Sequence, residues 1–160
     1  MFELFADSTP NARKISIMLE EINEDYDVTL INLNKGEQFE DEFKKISPFS
    51  KIPVLRHDNQ TIFESGAILI YLANLSGEFY GSNKNLTTQW LMAQMGYIGP
   101  MLGQHHQFHY YNGETDDAGL TLDLYNPFGP LTTELLNFYL SHKILQINLP
   151  SKLKLLQTRR

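Results

Sequence analysis

Two short segments of the chain carry residues that could hold a charged ligand. In residues 50–55, Pro53 interrupts an apolar run, and a proline cannot donate a hydrogen bond to a sheet ladder. This segment therefore predicts an edge strand, often with a cis peptide bond, whose neighbouring backbone amides are free for a ligand. In residues 63–68, the acid Glu64 and the hydroxyl of Ser65 precede a new apolar helical pattern. Because a helix N-terminus favours anions, the two segments together predict a pocket for a small peptide that carries a carboxylate.

Composition excludes several classes of protein. The 160 residues are 42% apolar, enough for a real core, and the net charge of −6 argues against a nucleic-acid surface, which needs clustered Lys and Arg. With no cysteine, the chain has neither disulfides nor a thiol nucleophile, so any sulfur chemistry must come from a ligand, and we expect a cytoplasmic protein. No stretch of 18 residues is apolar and the N-terminus lacks a basic region, so we expect neither secretion nor a membrane span.

Hydrophobic periodicity predicts an α/β domain with the element order βαβαββα in residues 1–77. Strands are predicted at 2–6, 26–33, 52–56 and 61–64, and the last two form a hairpin across Asp58 and Asn59. The first helix follows a turn cluster at 7–11 and carries the apolar stripe Ile15, Met18, Leu19 and Ile22. A short charged helix is predicted at 38–46, and a third helix begins at Ser65.

The remainder of the chain has a different character. Residues 78–85 are polar and predict a linker, and residues 86–160 follow as a second region. Its first part, 86–108, is a helical stretch that Pro100 and three glycines should kink. From about residue 112 the tail is atypical, because residues 113–140 carry five acids and no base whereas 141–160 carry five bases and no acid.

Five motifs give the chain a family resemblance over roughly residues 1–110. They are Thr-Pro-Asn at 9–11, Lys-Gly-Glu-Gln-Phe at 35–39, Ile-Ser-Pro at 46–48, Lys-Ile-Pro at 51–53 and Phe-Glu-Ser-Gly-Ala-Ile at 63–68. In this order they resemble the glutathione S-transferases, and within them the bacterial Nu-class enzymes and the Ure2-like group. The resemblance implies a thioredoxin-like N-terminal domain followed by an all-α C-terminal domain, which is incomplete in this chain.

The same resemblance implies a glutathione site and no metal. Glutathione would be bound by Asn11, Gln38, Lys51, Ile52, Glu64 and Ser65, with glutathione as cosubstrate. Glu64 would pair with the γ-glutamyl ammonium and Ser65 would hold the γ-glutamyl carboxylate, while Ile52 would pair through its backbone with the cysteinyl portion. Lys51 and Gln38 suit the glycyl carboxylate. Thr9 and Asn11 would be the catalytic pair that activates the thiol of glutathione.

Plainer roles are open for several of these residues. Ser65 and Thr9 could each be an ordinary helix N-cap, and a cap can also contact a ligand. His105 and His109 could share a helix face with His106 beside them, but no acid or cysteine completes a metal site, so we interpret these histidines as lining an acceptor cleft. Met92, Met95 and Met101 are interpreted as core or dimer packing.

The functional prediction is a glutathione transferase that works as a glutathione-dependent disulfide reductase on a disulfide or small electrophile, as a homodimer. Two alternatives are a non-catalytic glutathione-binding regulatory module and a nonfunctional fragment. The fragment is considered because the expected Ser/Thr-x-x-Asp capping box is absent after residue 111, as in a truncated or frameshifted chain. Loss of the helical bundle would make activity doubtful.

Overall fold

The computed structural model describes residues 1–106, and their elements follow the predicted order βαβαββα up to residue 76. The strands are β1 (Phe2–Ala6), β2 (Tyr26–Leu30), β3 (Val54–His57) and β4 (Gln60–Phe63). The helices are α1 (Pro10–Glu21), α2 (Asp41–Lys44), α3 (Ser65–Ser76), α4 (Lys84–Ala93) and α5 (Gly99–His106). Residues 1–84 lie in one compact unit and a second unit begins at Asn85, and each is described by itself.

The four strands form one sheet in the order β2-β1-β3-β4. β1 pairs in parallel with β2 and antiparallel with β3, where Leu4 lies opposite Leu55. β4 pairs antiparallel with β3, where Val54 lies opposite Phe63. The prediction of an edge strand at Pro53 is wrong, because β3 lies inside the sheet. It starts at Val54, so Pro53 precedes the ladder and removes no hydrogen bond from it.

Alternation along the strands gives the sheet two buried faces. On one face, Leu4 and Leu55 pack with the apolar sides of α1 and α3. On the other face, Phe5 and Val54 pack against Phe43 of α2. Because helices cover both faces, β1 is apolar at four of its five positions and β3 at its first two, Val54 and Leu55.

The helices α1 and α3 form as the sequence predicts. Thr9 is the N-cap of α1, its Oγ1 accepting a hydrogen bond from the Ala12 amide at 3.3 Å, and Pro10 takes the first helical position. Three residues of the predicted apolar stripe are buried, namely Ile15, Met18 and Leu19. α3 ends at Gly77, whose φ of 75° is the left-handed conformation that favours glycine at a helix C-terminus.

The connection between β2 and β3 differs from the prediction. The helix expected at 38–46 is reduced to α2, and two 3₁₀ turns, Leu33–Lys35 and Glu37–Phe39, precede it. Local hydrogen bonds explain the difference, because the Glu37 carboxylate accepts from the Asn32 amide at 2.6 Å while Asn32 Oδ1 accepts from the Lys35 amide. These bonds stabilise a turn rather than a helix.

The stretch from Lys84 to His106 contains a π-helical segment, Gln94–Ile98, between α4 and α5. Pro100 has no N–H to donate, and the Gly99 amide bonds to the Gln94 carbonyl five residues back. A Cβ at Gly99 would lie 3.0 Å from that carbonyl oxygen, so glycine permits the close approach. The predicted interruption of this helix is therefore confirmed.

Within residues 1–106 no helix is long and apolar enough to cross a membrane. The predictions for His109 and for the atypical tail from residue 112 fall outside the described residues. The linker predicted at 78–85 stays a prediction.

Leu72 and Leu75 on α3 provide a matched test of the core. Leu72 is 0% exposed whereas Leu75 is 49% exposed. Leu72→Ala should lower the free energy of unfolding by about 2–5 kcal/mol, because it leaves a cavity beside the sheet. Leu75→Ala should change it by no more than about 0.5 kcal/mol. Urea unfolding of both variants measures this, and equal losses would contradict the placement of the core.

Candidate functional site

A recess of about 130 Å³ lies at the end of the sheet where β3 begins and β4 ends. Its lining residues are Asn11, Ser47, Phe49, Lys51, Ile52, Pro53, Phe63, Glu64 and Ser65. Of the seven residues predicted for the site, the structure brings together Asn11, Lys51, Ile52, Glu64 and Ser65. Thr9 and Gln38 are not among the lining residues.

The loop that leads into β3 is held in place by Ser47. This side chain is only 1% exposed, and its Oγ donates to the Lys51 carbonyl at 2.7 Å and accepts from the Lys51 amide at 3.0 Å. No role for Ser47 was predictable from its residue type, although Ser-Pro is a turn signal. Inside the loop, Ser50 has a φ of 54°, which is uncommon for a residue with a side chain. The two hydrogen bonds of Ser47 stabilise this conformation.

Ile52 joins the loop to the cis peptide bond at Pro53. Its side chain packs against the cluster that contains Phe5 and Val54. In the part of the chain that the structure describes, the backbone N–H and C=O of Ile52 have no hydrogen-bond partner. The residue is therefore anchored by its side chain, and its backbone donor and acceptor are available at the recess that it lines.

Glu64 has an unusual backbone conformation, with φ 72° and ψ 118°. For a residue other than glycine this costs of the order of 1–3 kcal/mol, and such strain is concentrated at functional sites. Glu64 occupies the N-cap of α3 but its side chain makes no capping hydrogen bond. The N-cap alternative for Ser65 is therefore wrong, because Ser65 is the first residue of the helix. The exposed Glu64 carboxylate borders the recess beside the positive end of the α3 dipole.

The two residues expected to activate a thiol lie at the start of α1. Thr9 is the N-cap, as its plainer interpretation required, and Asn11 lines the recess. Gln38 lies in the turn Glu37–Phe39, and its Oε1 is buried without a hydrogen-bond partner among the described residues. The ligand contacts assigned to all three stay predictions.

Two aromatic rings, neither of which was predicted to belong to the site, border the recess. Phe49 is 67% exposed and Phe63 is 37% exposed, and their rings meet edge to face with centroids 6.1 Å apart. Their spacing in the sequence gives no signal of this contact, since Phe63 belongs to a predicted strand and Phe49 to a loop. Together they make an apolar rim beside the polar groups of Glu64 and Lys51.

A second hollow, of about 480 Å³, is a weaker candidate for a site. Four of its charged groups form two pairs, because Arg56 binds Glu3 at 2.8 Å and the N-terminal ammonium binds Asp58 at 3.2 Å. That ammonium and the nearby His57 hold the pKa of the Asp58 carboxyl below its usual value. Paired charges have less to gain from a ligand. Within residues 1–106 no group of three or more His, Cys, Asp or Glu could hold a metal ion.

Comparison with known protein families identifies the domain that contains the recess. The family described as "Glutathione S-transferase, N-terminal domain" matches residues 2–74. This part of the chain is a glutathione S-transferase N-terminal domain. The match covers the sheet, α1, α2, all but the last two residues of α3 and every residue that lines the recess.

Relatives of this glutathione S-transferase domain include bacterial and yeast proteins. The disulfide-bond oxidoreductase YfcG of Escherichia coli (strain K12) is 42% identical over 125 residues, which are 72% of this chain and 58% of the relative. Protein URE2 of Candida albicans is 36% identical over 124 residues, which are 69% of this chain and 36% of URE2. The chain therefore spans little more than half of YfcG. These relatives agree with the predicted Ure2-like group.

Solved structures give the same result. A glutathione transferase from Pseudomonas putida, with one glutathione disulfide bound per subunit, is 35% identical with a TM-score of 0.75, and the match covers 88% of this chain and 65% of that one. A family member from Pseudomonas fluorescens pf-5, with two glutathione bound, is 39% identical with a TM-score of 0.70 over 78% of this chain and 59% of that one.

Ser47→Ala tests the loop that shapes the recess. The variant leaves the Lys51 carbonyl and amide without their partner, so the free energy of unfolding should fall by about 1–3 kcal/mol. The control is Ser76→Ala, which removes one exposed hydrogen bond, accepted by Ser76 from the Glu78 amide at 3.2 Å. Chemical denaturation measures both. If Ser47→Ala costs no more than Ser76→Ala, the loop does not depend on Ser47.

Proposed function

We propose that this chain binds glutathione in the recess and uses its thiol to reduce disulfides. One observation carries the proposal: a backbone donor and acceptor at Ile52, the Glu64 carboxylate and the start of α3 at Ser65 meet in one recess. Glutathione offers the complementary groups, namely a peptide backbone, an ammonium and a carboxylate. Related structures with bound glutathione or glutathione disulfide support it.

The charges of the recess fit the two ends of glutathione. The Glu64 carboxylate would pair with the γ-glutamyl ammonium, and the Ser65 hydroxyl and amide at the positive end of α3 would hold the γ-glutamyl carboxylate. The cysteinyl portion would add to Ile52 as a short extra strand. Lys51 is an exposed cation suited to the glycyl carboxylate, which Gln38 would also approach.

Thiol activation falls to Thr9 and Asn11. An unperturbed thiol has a pKa near 8.5 and is mostly protonated at neutral pH, so donors must stabilise the thiolate. Thr9 Oγ1 accepts its capping hydrogen bond from Ala12, which leaves the hydroxyl proton to donate to sulfur. The cap and the catalytic role are therefore compatible.

The proposed reaction is a thiol–disulfide exchange. The bound glutathione thiolate attacks one sulfur of the substrate disulfide, a new S–S bond forms, and the other sulfur leaves as a thiolate that takes up a proton. A second glutathione thiolate then attacks the mixed disulfide. Glutathione disulfide and a second reduced thiol leave, so two glutathione molecules are oxidised and one disulfide is reduced. A chain without cysteine supplies no thiol of its own.

Glu64→Ala should weaken glutathione binding by about 1.5–3 kcal/mol, the range for a hydrogen bond to a charged group. Isothermal calorimetry measures the affinity. Glu78→Ala is the control, because Glu78 is an exposed acid beyond the C-terminus of α3. Unchanged affinity in Glu64→Ala would contradict the proposed placement of the γ-glutamyl group.

Turnover separates the reductase from its alternatives. With glutathione and a small model disulfide, the full chain should release glutathione disulfide in steady state, and Asn11→Ala should slow turnover more than it weakens binding because Asn11 faces the thiol. Binding without turnover would instead support a glutathione-binding module. Neither binding nor turnover would support a nonfunctional fragment. The homodimer and the cytoplasmic location stay predictions.

A further inference from the structure

Lys14 does not line the recess, but it contacts Asn11, which does. It lies one turn after Asn11 on α1, and its Nζ donates a hydrogen bond to Asn11 Oδ1 at 2.9 Å. Asn11 is among the lining residues. In the sequence, Lys14 is one of several charged residues off the apolar stripe of α1.

The contact fixes which side of the Asn11 amide is available to a ligand. A carboxamide has an acceptor oxygen on one side and two N–H donors on the other, and the two can exchange by a flip. An ammonium group carries donors only, so the atom of Asn11 that faces Lys14 must be the oxygen. The N–H donors on Nδ2 are then the groups of the Asn11 amide that can bind a ligand in the recess.

The orientation matters for a thiolate. Amide N–H groups stabilise a negative sulfur, whereas a flipped amide would present its oxygen to the same atom and favour the protonated thiol. The ammonium also polarises the amide and strengthens its N–H donors. Partial burial of Lys14 lowers the pKa of its ammonium, while the hydrogen bond to Asn11 lies at the exposed surface of α1.

We infer that Lys14 is a positioning residue that holds the Asn11 carboxamide with its N–H donors toward the thiol of bound glutathione. The inference rests on the proposed function of the recess. Lys14 makes the thiol more acidic through Asn11 and leaves the γ-glutamyl contacts at Glu64 and Ser65 alone. Its effect is thus on reactivity rather than on affinity.

The test is an ultraviolet titration of the thiol of glutathione bound to the full chain. Lys14→Met should raise the thiol pKa by about one unit, the lower end of the shift that one nearby charge produces, with glutathione affinity near that of the unmodified protein. Lys14→Arg should restore most of the shift. The control is Arg13→Met. It removes a cation from the same helical turn, but the Arg13 side chain donates its hydrogen bond to Ser8 Oγ and not to Asn11.

A double variant tests whether Lys14 acts through Asn11. In an Asn11→Ala background, Lys14→Met should raise the thiol pKa no further. An additional rise of the same size, or an equal rise in Arg13→Met, would show a general effect of positive charge and overturn the inference. If Lys14→Met binds glutathione normally and its thiol pKa is unchanged, the inference about Lys14 is overturned but the proposed function is not. Failure of the unmodified protein to bind glutathione would overturn the proposed function as well.

Discussion

The direction of three strands determines where the recess lies. β1 and β3 run antiparallel, so the end of β1 and the start of β3 lie at the same edge of the sheet, with Phe5 opposite Val54. The hairpin returns β4 to that edge, where Phe63 lies opposite Val54. Three chain segments that are distant in sequence therefore meet there: the turn into α1, the loop that ends at Pro53, and the residues that open α3. A register slip of one residue in the hairpin would exchange the two faces of β3 and separate these segments.

Burial in β3 keeps this register fixed. Leu55 packs with α1 and α3, whereas Val54 packs with α2, so each face of the strand has its own apolar partner. The rigid sheet in turn supports two conformations that are unfavourable in isolation, the positive φ of Ser50 and that of Glu64. Ser47 holds the first of these through two hydrogen bonds, and the first turn of α3 holds the second through the bond from the Ile68 amide to the Glu64 carbonyl. Stability in the core thus allows strain at the site.

The sequence predicts the elements better than their boundaries. The α1 stripe and the hairpin turn at Asp58 and Asn59 follow from local periodicity and turn chemistry, and both are confirmed. The edge strand at Pro53 was wrong because strand order depends on long-range pairing, which a local proline signal does not report. The helix at 38–46 was overestimated because two side-chain bonds, from the Asn32 amide to Glu37 and from the Lys35 amide to Asn32, stabilise turns before it. Neither bond is visible in the apolar pattern.

The site shows the same division between local and long-range information. Glu64, Ser65 and the Ile52–Pro53 pair were predictable because each has a local signature, namely a helix start or a proline at the start of a strand. Ser47 was not predictable, since its partner Lys51 is specified by the shape of a loop. Lys14 was not predictable either. Pairs of side chains at positions i and i+3 on an exposed helix face are common. The contact of Lys14 with Asn11 becomes relevant to function only because the fold places Asn11 at the recess.

Nuclear magnetic resonance can show whether this recess binds the peptide backbone and the γ-glutamyl group of glutathione. Backbone amide shifts of the full chain would be followed during titration with glutathione. The largest changes in shift should fall on Asn11, Ile52, Glu64 and Ser65. The shifts of Thr29 and Arg56, which line the second hollow, should not change. Absent shifts, or shifts concentrated in the second hollow, would contradict it.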